Sequence, residues 1–157
     1  MKNKYTNIYN NLIKLTRNKN LYLNLEKKDT FSDRLIIFFF HYAFFLKHFK
    51  SELSKNESQD LFDFIIRQIE LSIREIGYGD VSVNKRMKEY VNLFYSIVEK
   101  IEIWDNSDIY SRDEIIKNLL NISKENQYYV DYFEKYRNFL RNNTLNNFIK
   151  DILNIKF

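Results

Sequence analysis

The chain contains no proline, and its two glycines, Gly77 and Gly79, lie two residues apart. Proline interrupts helices, and glycine permits backbone conformations that other residues avoid. Every other connection in the 157-residue chain must therefore form without either residue. We infer that the segment Arg74–Asp80 is one break that ordinary side chains could not build, and that long helices flank it.

Apolar residues recur at intervals of three and four along most of the sequence, and no useful stretch alternates as a strand would. The pattern predicts one all-α domain over residues 1–157, a globular bundle of about six or seven helices. The expected helices cover 5–17, a stretch that starts within Asp29–Asp33 and ends near Phe49, a stretch from the Ser58 cap to Gly77, roughly 82–104, a stretch from the Ser111 cap to Ile122, 128–140 and 145–153. Their expected caps are Asp29 or Thr30, Ser58, Asp80 or Ser82, Ser111 with Glu114, and Thr144.

The segment from Leu35 to Leu46 is apolar at every position except His41. Twelve residues fall short of the roughly 20 that a membrane-spanning helix needs. A helix that is apolar on nearly all sides is typical of a core element contacted from several directions. We therefore expect a central, aromatic-rich helix in which His41 bonds to a neighbouring helix, with membrane-surface contact as the lesser alternative.

The composition excludes several kinds of site. The chain has no cysteine and only two histidines, so disulfides, thiolate chemistry and histidine-rich metal centres are ruled out. The Gly-x-Gly pair has no preceding strand and no third glycine, so it is not a dinucleotide fingerprint. We predict no cofactor and no catalytic residues. A helical enzyme working through the Arg74–Asp80 turn is the least supported hypothesis.

Basic residues are concentrated at the N-terminus. Residues 1–28 hold seven lysines or arginines and one acid, whereas the remainder has more acids than bases. Such a segment is compatible with a solvated helix face, or with binding to ribosomal RNA, an anionic membrane or an acidic protein. A basic adaptor that docks through residues 1–28 is therefore our alternative functional hypothesis.

Charged residues also surround the glycine turn: Arg74, Glu75 and Asp80 lie within it, and Lys85 and Arg86 follow. Bases in the first turn of a helix oppose its dipole. They indicate either a partner or an internal ion-pair network with the nearby acids. Arg34, beside the apolar helix, invites the same two interpretations.

Two motifs together resemble the ubiquinol–cytochrome c chaperone family, which includes the mitochondrial cytochrome b assembly chaperone and α-proteobacterial relatives. One runs from Asp29-Thr30 through Arg34 to His41, and the other is the Arg74–Asp80 turn with Lys85-Arg86. Tyr9, Arg17 and Tyr22 also match, so the resemblance covers roughly 5–104. Departures occur at Asp33, in place of a family glycine, and at Ser96-Ile97, in place of Gly-Arg.

The resemblance implies a non-enzymatic chaperone that binds newly made cytochrome b and supports assembly of the cytochrome bc complex. It implies a client- or partner-facing surface at Arg74, Glu75, Gly77, Gly79, Asp80, Lys85 and Arg86, supported by Arg34 and His41. Mitochondrial members act with a small partner subunit at the ribosome exit. Because the basic first helix aligns with the domain and leaves no room for a transit peptide, we expect a bacterial cytoplasmic protein, peripheral at most to the inner membrane. A eukaryotic protein would belong in the matrix.

Overall fold

The computed structural model describes residues 2–23, 25, 30–122 and 127–151, and these ranges contain seven α-helices and no strand. The predicted all-α class is confirmed. The helices are α1 (Lys2–Thr16), α2 (Phe31–Phe49), α3 (Lys55–Ile76), α4 (Asp80–Glu102), α5 (Ile109–Leu120), α6 (Gln127–Arg141) and α7 (Leu145–Asp151). Single 3-10 turns lie at Lys19–Tyr22, Lys50–Glu52 and Trp104–Asn106.

Helix α2 is the centre of the bundle, as the sequence predicted. It packs most extensively against α4 and α1, and it also contacts α5 and α6. Successive phenylalanines of α2 each meet an aromatic ring on a different element, with ring centroids 4.8–5.8 Å apart. The pairs are Phe38 with Tyr9, Phe39 with Phe94, Phe40 with Phe133, Phe44 with Trp104, and Phe45 with Phe148. None of the helices in the described ranges is both long and apolar enough to cross a bilayer.

The predicted helix starts are partly wrong. Thr30 and Thr144 cap α2 and α7, because each side chain accepts a hydrogen bond from the backbone N–H three residues later. Asp29, the other candidate for α2, lies outside the described residues, as do Ile152 and Leu153 in the last helix. Helix α3, however, is capped by Ser54 in a reciprocal capping box with Glu57, not by Ser58.

Helices α4 and α5 also begin earlier than predicted. Gly79 occupies the N-cap of α4 without a side-chain bond, and Asp108 caps α5 by accepting from the Ser111 N–H at 2.8 Å. The first turns of α3, α4 and α5 are largely exposed. An exposed first turn carries no apolar periodicity, so the pattern located these helices only from their first buried residue onwards.

Two buried or half-buried polar side chains close the bundle by bonding to helix C-termini. Asn11 of α1 donates from Nδ2 to the carbonyls of Phe148 and Ile149 in α7, at 2.8 and 3.2 Å. Lys47 of α2 donates from Nζ to the carbonyls of Ile101 and Glu102, at 2.9 and 3.0 Å. Carbonyls of the last helical turn have no intrahelical donor, so these bonds satisfy groups that the helices leave open.

We predict that Asn11→Ala lowers the free energy of unfolding by about 1–3 kcal/mol, because it leaves α7 carbonyls without a donor. Hydrogen exchange should show the largest loss of amide protection in α7. Asn7→Ala, at an exposed position of the same helix, is the matched control and should change stability by less than about 0.5 kcal/mol. Equal effects of the two substitutions would contradict the role given to Asn11.

Candidate functional site

The two glycines of the α3–α4 corner have different roles. Gly77 has a left-handed backbone (φ +109°) and ends α3, with its N–H bonded to the Arg74 carbonyl at 3.0 Å. Gly79 is extended (φ −75°, ψ 165°), a conformation open to any residue, and a Cβ added there would meet no heavy atom within 4 Å. The fold therefore requires glycine at position 77 but not at position 79.

Arg74 and Asp80 bond to each other across the corner. Arg74 donates from Nη1 to Asp80 Oδ1 and from Nη2 to Glu70 Oε1 at 3.2 Å, while Arg67 holds the other Glu70 oxygen at 3.0 Å. The bonds from Arg74 and Arg67 lower the pKa of Glu70, and the bonds to Asp80 and Glu70 raise the pKa of Arg74. Two of the predicted contact residues are thus engaged with one another in this structure.

Arg86 and Lys85, which are adjacent in sequence, lie in different environments. The guanidinium carbon of Arg86 lies 4.0 Å from the centroid of the Tyr78 ring, a cation–π geometry that holds the tyrosine against α4. Lys85 is exposed on the first turns of α4. Lys85 is therefore accessible to solvent beside the corner.

The corner exposes an apolar surface that the sequence reasoning overlooked. Ile76 is 54%, Tyr78 37% and Val81 85% accessible. We call these three residues the corner patch. Isolated exposed apolar residues are common in soluble proteins, whereas a group of them around one turn is typical of a binding surface. Val81 does not share the helical spacing of the buried residues of α4. That mismatch could have identified it in the sequence as an exposed apolar residue.

A groove of about 570 Å³ adjoins the corner patch and lies between α1, the first half of α2 and the end of α3. Ile76 belongs to both the patch and the groove. Aromatic and aliphatic side chains contribute much of the lining, among them Tyr9, Ile13, Phe31, Phe38 and Ile69. A volume of this size is within the range of protein sites that enclose small organic groups or side chains.

Two predicted site residues, Arg34 and Glu75, line this groove together with Lys14 and Arg17. Three bases and one acid therefore surround a mainly apolar groove. The structure brings Arg34 of α2 into the same site as the end of α3, although about forty residues separate them in sequence. Tyr9 of α1 and Arg17, directly after α1, which the resemblance also marked, line it as well.

Three bases in the described part of the N-terminal segment lie in different places. Lys4 bonds to Glu57 at 2.6 Å, at the start of α3, and this bond lowers the pKa of Glu57. Lys14 and Arg17 instead lie at the groove, near the opposite end of α3. Lys4 thus belongs to an ion pair, whereas Lys14 and Arg17 belong to the candidate site.

His41 lies in the core and not on this surface. Its side chain is 0% exposed, with Nδ1 donating to the Ile37 carbonyl at 2.8 Å and Nε2 accepting from the Tyr132 hydroxyl at 2.6 Å. The carbonyl can only accept, so the ring is the neutral Nδ1–H tautomer. Burial lowers the pKa of His41 to about 4. The predicted bond to a neighbouring helix is present, and direct contact with a partner is incompatible with this burial.

The corner patch and the adjoining groove form an apolar surface bordered by cationic side chains on a helical bundle. A family model described as ubiquinol-cytochrome C chaperone matches residues 24–119, more than half of the chain. The chain belongs to the ubiquinol–cytochrome c chaperone family, which implies a chaperone role in assembly of respiratory complex III and a client protein as partner. The comparisons with curated proteins and with solved structures gave no match.

The family match differs in extent from the resemblance seen in the sequence. It begins after Tyr9, Arg17 and Tyr22 and continues beyond residue 104 to residue 119. It therefore contains α2, α3, α4 and nearly all of α5, including both motifs. Helix α1, which supplies one wall of the groove, lies outside the matched region.

We predict opposite effects of serine at the two glycines. Gly77→Ser should lower the free energy of unfolding by about 1–2 kcal/mol, because a side chain disfavours the left-handed backbone. Gly79→Ser should leave it unchanged or raise it by up to about 1 kcal/mol, because serine is a good N-cap and restricts the unfolded chain. Urea unfolding of both variants measures the contrast, and equal destabilisation would refute it.

His41 should make stability fall in acid. The folded pKa of about 4 lies below the unfolded value of 6.5, so the unfolded chain binds the proton more tightly. The contribution of neutral His41 is complete above pH 6.5 and declines by roughly 3 kcal/mol as the pH falls to 4. His41→Asn should be less stable at pH 7 and lose less stability between pH 6.5 and 4. His48→Asn, at the half-buried histidine, is the control, and parallel pH profiles for wild type and His41→Asn would overturn the assignment.

Proposed function

We propose that this protein is a non-enzymatic assembly chaperone that binds cytochrome b while the ubiquinol–cytochrome c reductase complex is built. The observation that carries the proposal is the joining of the corner patch to a groove with both apolar and cationic lining. Family membership supports the complex as the context. The cytochrome subunit is proposed because it is the apolar membrane client that the family resemblance implies.

The corner patch gives the client an apolar contact. Ile76, Tyr78 and Val81 stay exposed in the folded chain, so covering them with an apolar segment releases water at no cost to the chaperone's own core. A segment of a membrane protein that has not yet entered the bilayer also exposes apolar side chains to water. Both partners lose exposed apolar area when they meet, which favours a reversible complex.

The groove gives the client a charged contact. Lys14, Arg17 and Arg34 outnumber Glu75 along its lining. An amphipathic or apolar helix often docks by placing its apolar face in a groove of this kind. Acidic residues at the end of such a segment would face the three cations, which sets the direction in which it binds. Gly79, which the fold does not require, leaves room for the close approach of a client backbone beside the patch.

The contact residues of the proposal therefore differ from those expected. Arg34, Glu75, Lys85 and Gly79 are kept as residues that face the client. Arg74, Asp80 and Arg86 act by holding the corner and Tyr78 in place. His41 supports the site only by fixing α2 to α6. Binding and release in this scheme need no covalent step.

The corner patch can be tested by photo-crosslinking and pulldown from membranes. We expect Ile76→Ser/Val81→Ser to reduce recovered cytochrome b about tenfold, equivalent to roughly 1.4 kcal/mol. Unfolding stability should hardly change, because both side chains are exposed. Leu23→Ser, at another exposed apolar residue, is the matched control and should recover cytochrome b as the wild type does.

Deletion of the gene should lower assembled cytochrome b without lowering its transcript. Normal levels of the assembled complex in the deletion strain would contradict the proposal. So would recovery of no cytochrome b by the wild-type protein. If that protein instead showed binding to ribosomal RNA or anionic vesicles that weakens steeply with salt, the basic adaptor would become the better explanation.

A further inference from the structure

A second group of exposed apolar side chains lies at the opposite end of α4 from the corner patch. Ile103 is 57%, Ile109 56% and Tyr110 77% accessible. We call these three residues the distal patch. Helix α4 has 23 residues, so about 35 Å separates its two ends. A partner segment that binds at the corner and is shorter than this distance does not cover the distal patch.

The distal patch sits on a well-fixed turn. The Ser107 hydroxyl donates to the Ile103 carbonyl at 2.7 Å, and the Ser107 N–H donates to the Trp104 carbonyl at 3.1 Å. Trp104 is 0% exposed, and its indole N–H donates to Glu134 of α6 at 2.8 Å. The three apolar side chains are thus held at the surface by a turn anchored in the core, and a fraying chain end does not explain their exposure.

The bases of this region point inward. Arg112 donates to the Trp104 carbonyl and to Glu134, and its side chain is 15% exposed. Lys47 and Arg137 both engage Asp105, at 3.2 and 2.5 Å, and hold its pKa low. These three cations are therefore engaged with Asp105 and Glu134.

Three of the acids near the distal patch are exposed, with Glu114 3.9 Å from the Lys117 ammonium group, whereas Asp105 and Asp113 are held in ion pairs. Residues 102–114 contain five acids and one base, in a chain whose net charge is +4. Glu102, Asp108 and Glu114 are exposed. The patch is therefore an apolar centre with an acidic rim, which is the arrangement found at protein interfaces. Like charge disfavours RNA and anionic lipid, so the fitting occupant is a protein segment with basic and apolar residues.

We propose that the distal patch docks a basic amphipathic segment of a second protein, at a surface separate from the client site. Ile103, Ile109 and Tyr110 supply the apolar contact. Glu102, Asp108 and Glu114 select the positive charge. The proposal does not depend on the identity of the client, because none of these residues lies in the corner patch or lines the groove.

The first test places a photo-crosslinking amino acid at position 110 of the whole protein in cells, with the crosslinked peptide sequenced by mass spectrometry. We expect a peptide from another protein that has net positive charge and apolar residues at helical spacing. Crosslinking should fall at least fivefold in Glu102→Gln/Asp108→Asn/Glu114→Gln, in which asparagine preserves the α5 cap. Crosslinks only to a second copy of this chain, to an acidic segment, or to lipid or RNA would overturn the proposal.

The second test uses purified protein and an 18-residue helical peptide of leucine and lysine as the probe. Its Kd should rise about tenfold in Ile103→Ser/Ile109→Ser and should not change in Ile76→Ser/Val81→Ser. A leucine–glutamate peptide that binds equally well, or equal losses in the two double variants, would refute the distal site. A crosslinker at position 78 reports the client separately, so failure of one surface is distinguishable from failure of the other.

Discussion

The burial of every residue of α2 from Ile37 to Phe45 is the constraint on which the rest of the structure depends. Its phenylalanines contact α1, α4, α6, α7 and the Trp104 turn, so each of those elements takes its position from one central helix. Removing a buried phenylalanine side chain typically costs about 3–5 kcal/mol. With the core centred on α2, the end of α3 and the start of α4 need not bury every apolar residue, and the corner patch remains exposed.

The α3–α4 corner fixes the shape of the turn and also leaves apolar side chains exposed. Gly77 ends the helix, and the Arg74–Asp80 pair bridges the turn from outside. These features give the corner its shape without covering Ile76 or Val81. Arg86 holds Tyr78 by its ring face and leaves the tyrosine partly accessible. The charged residues around the turn thus hold its shape, and the surface that the turn exposes includes the apolar side chains of Ile76, Tyr78 and Val81.

The sequence predicted the parts of the fold that follow from periodic burial. The all-α class, the central position of α2 and the capping roles of Thr30 and Thr144 are of this kind. The predicted helix starts were wrong where the first turn is exposed to solvent, as after Ser54 and Asp108, because no apolar periodicity marks those turns. The groove was also beyond prediction from the sequence, because Arg34 and Glu75 meet only through the packing of α1, α2 and α3. The Arg74–Asp80 pair is different, because an internal ion-pair network was one of the two interpretations that the sequence offered for these charges.

The contact between the first and last described helices has a consequence for synthesis of the chain. Phe45 and Asn11 find their partners Phe148 and Ile149 about a hundred residues or more later. At 5–20 residues per second, Phe45 therefore waits roughly 5–20 s before its α7 contact can be made. During that interval one side of the most apolar helix is uncovered. A protein proposed to shield a nascent membrane subunit thus passes through a similarly vulnerable stage itself.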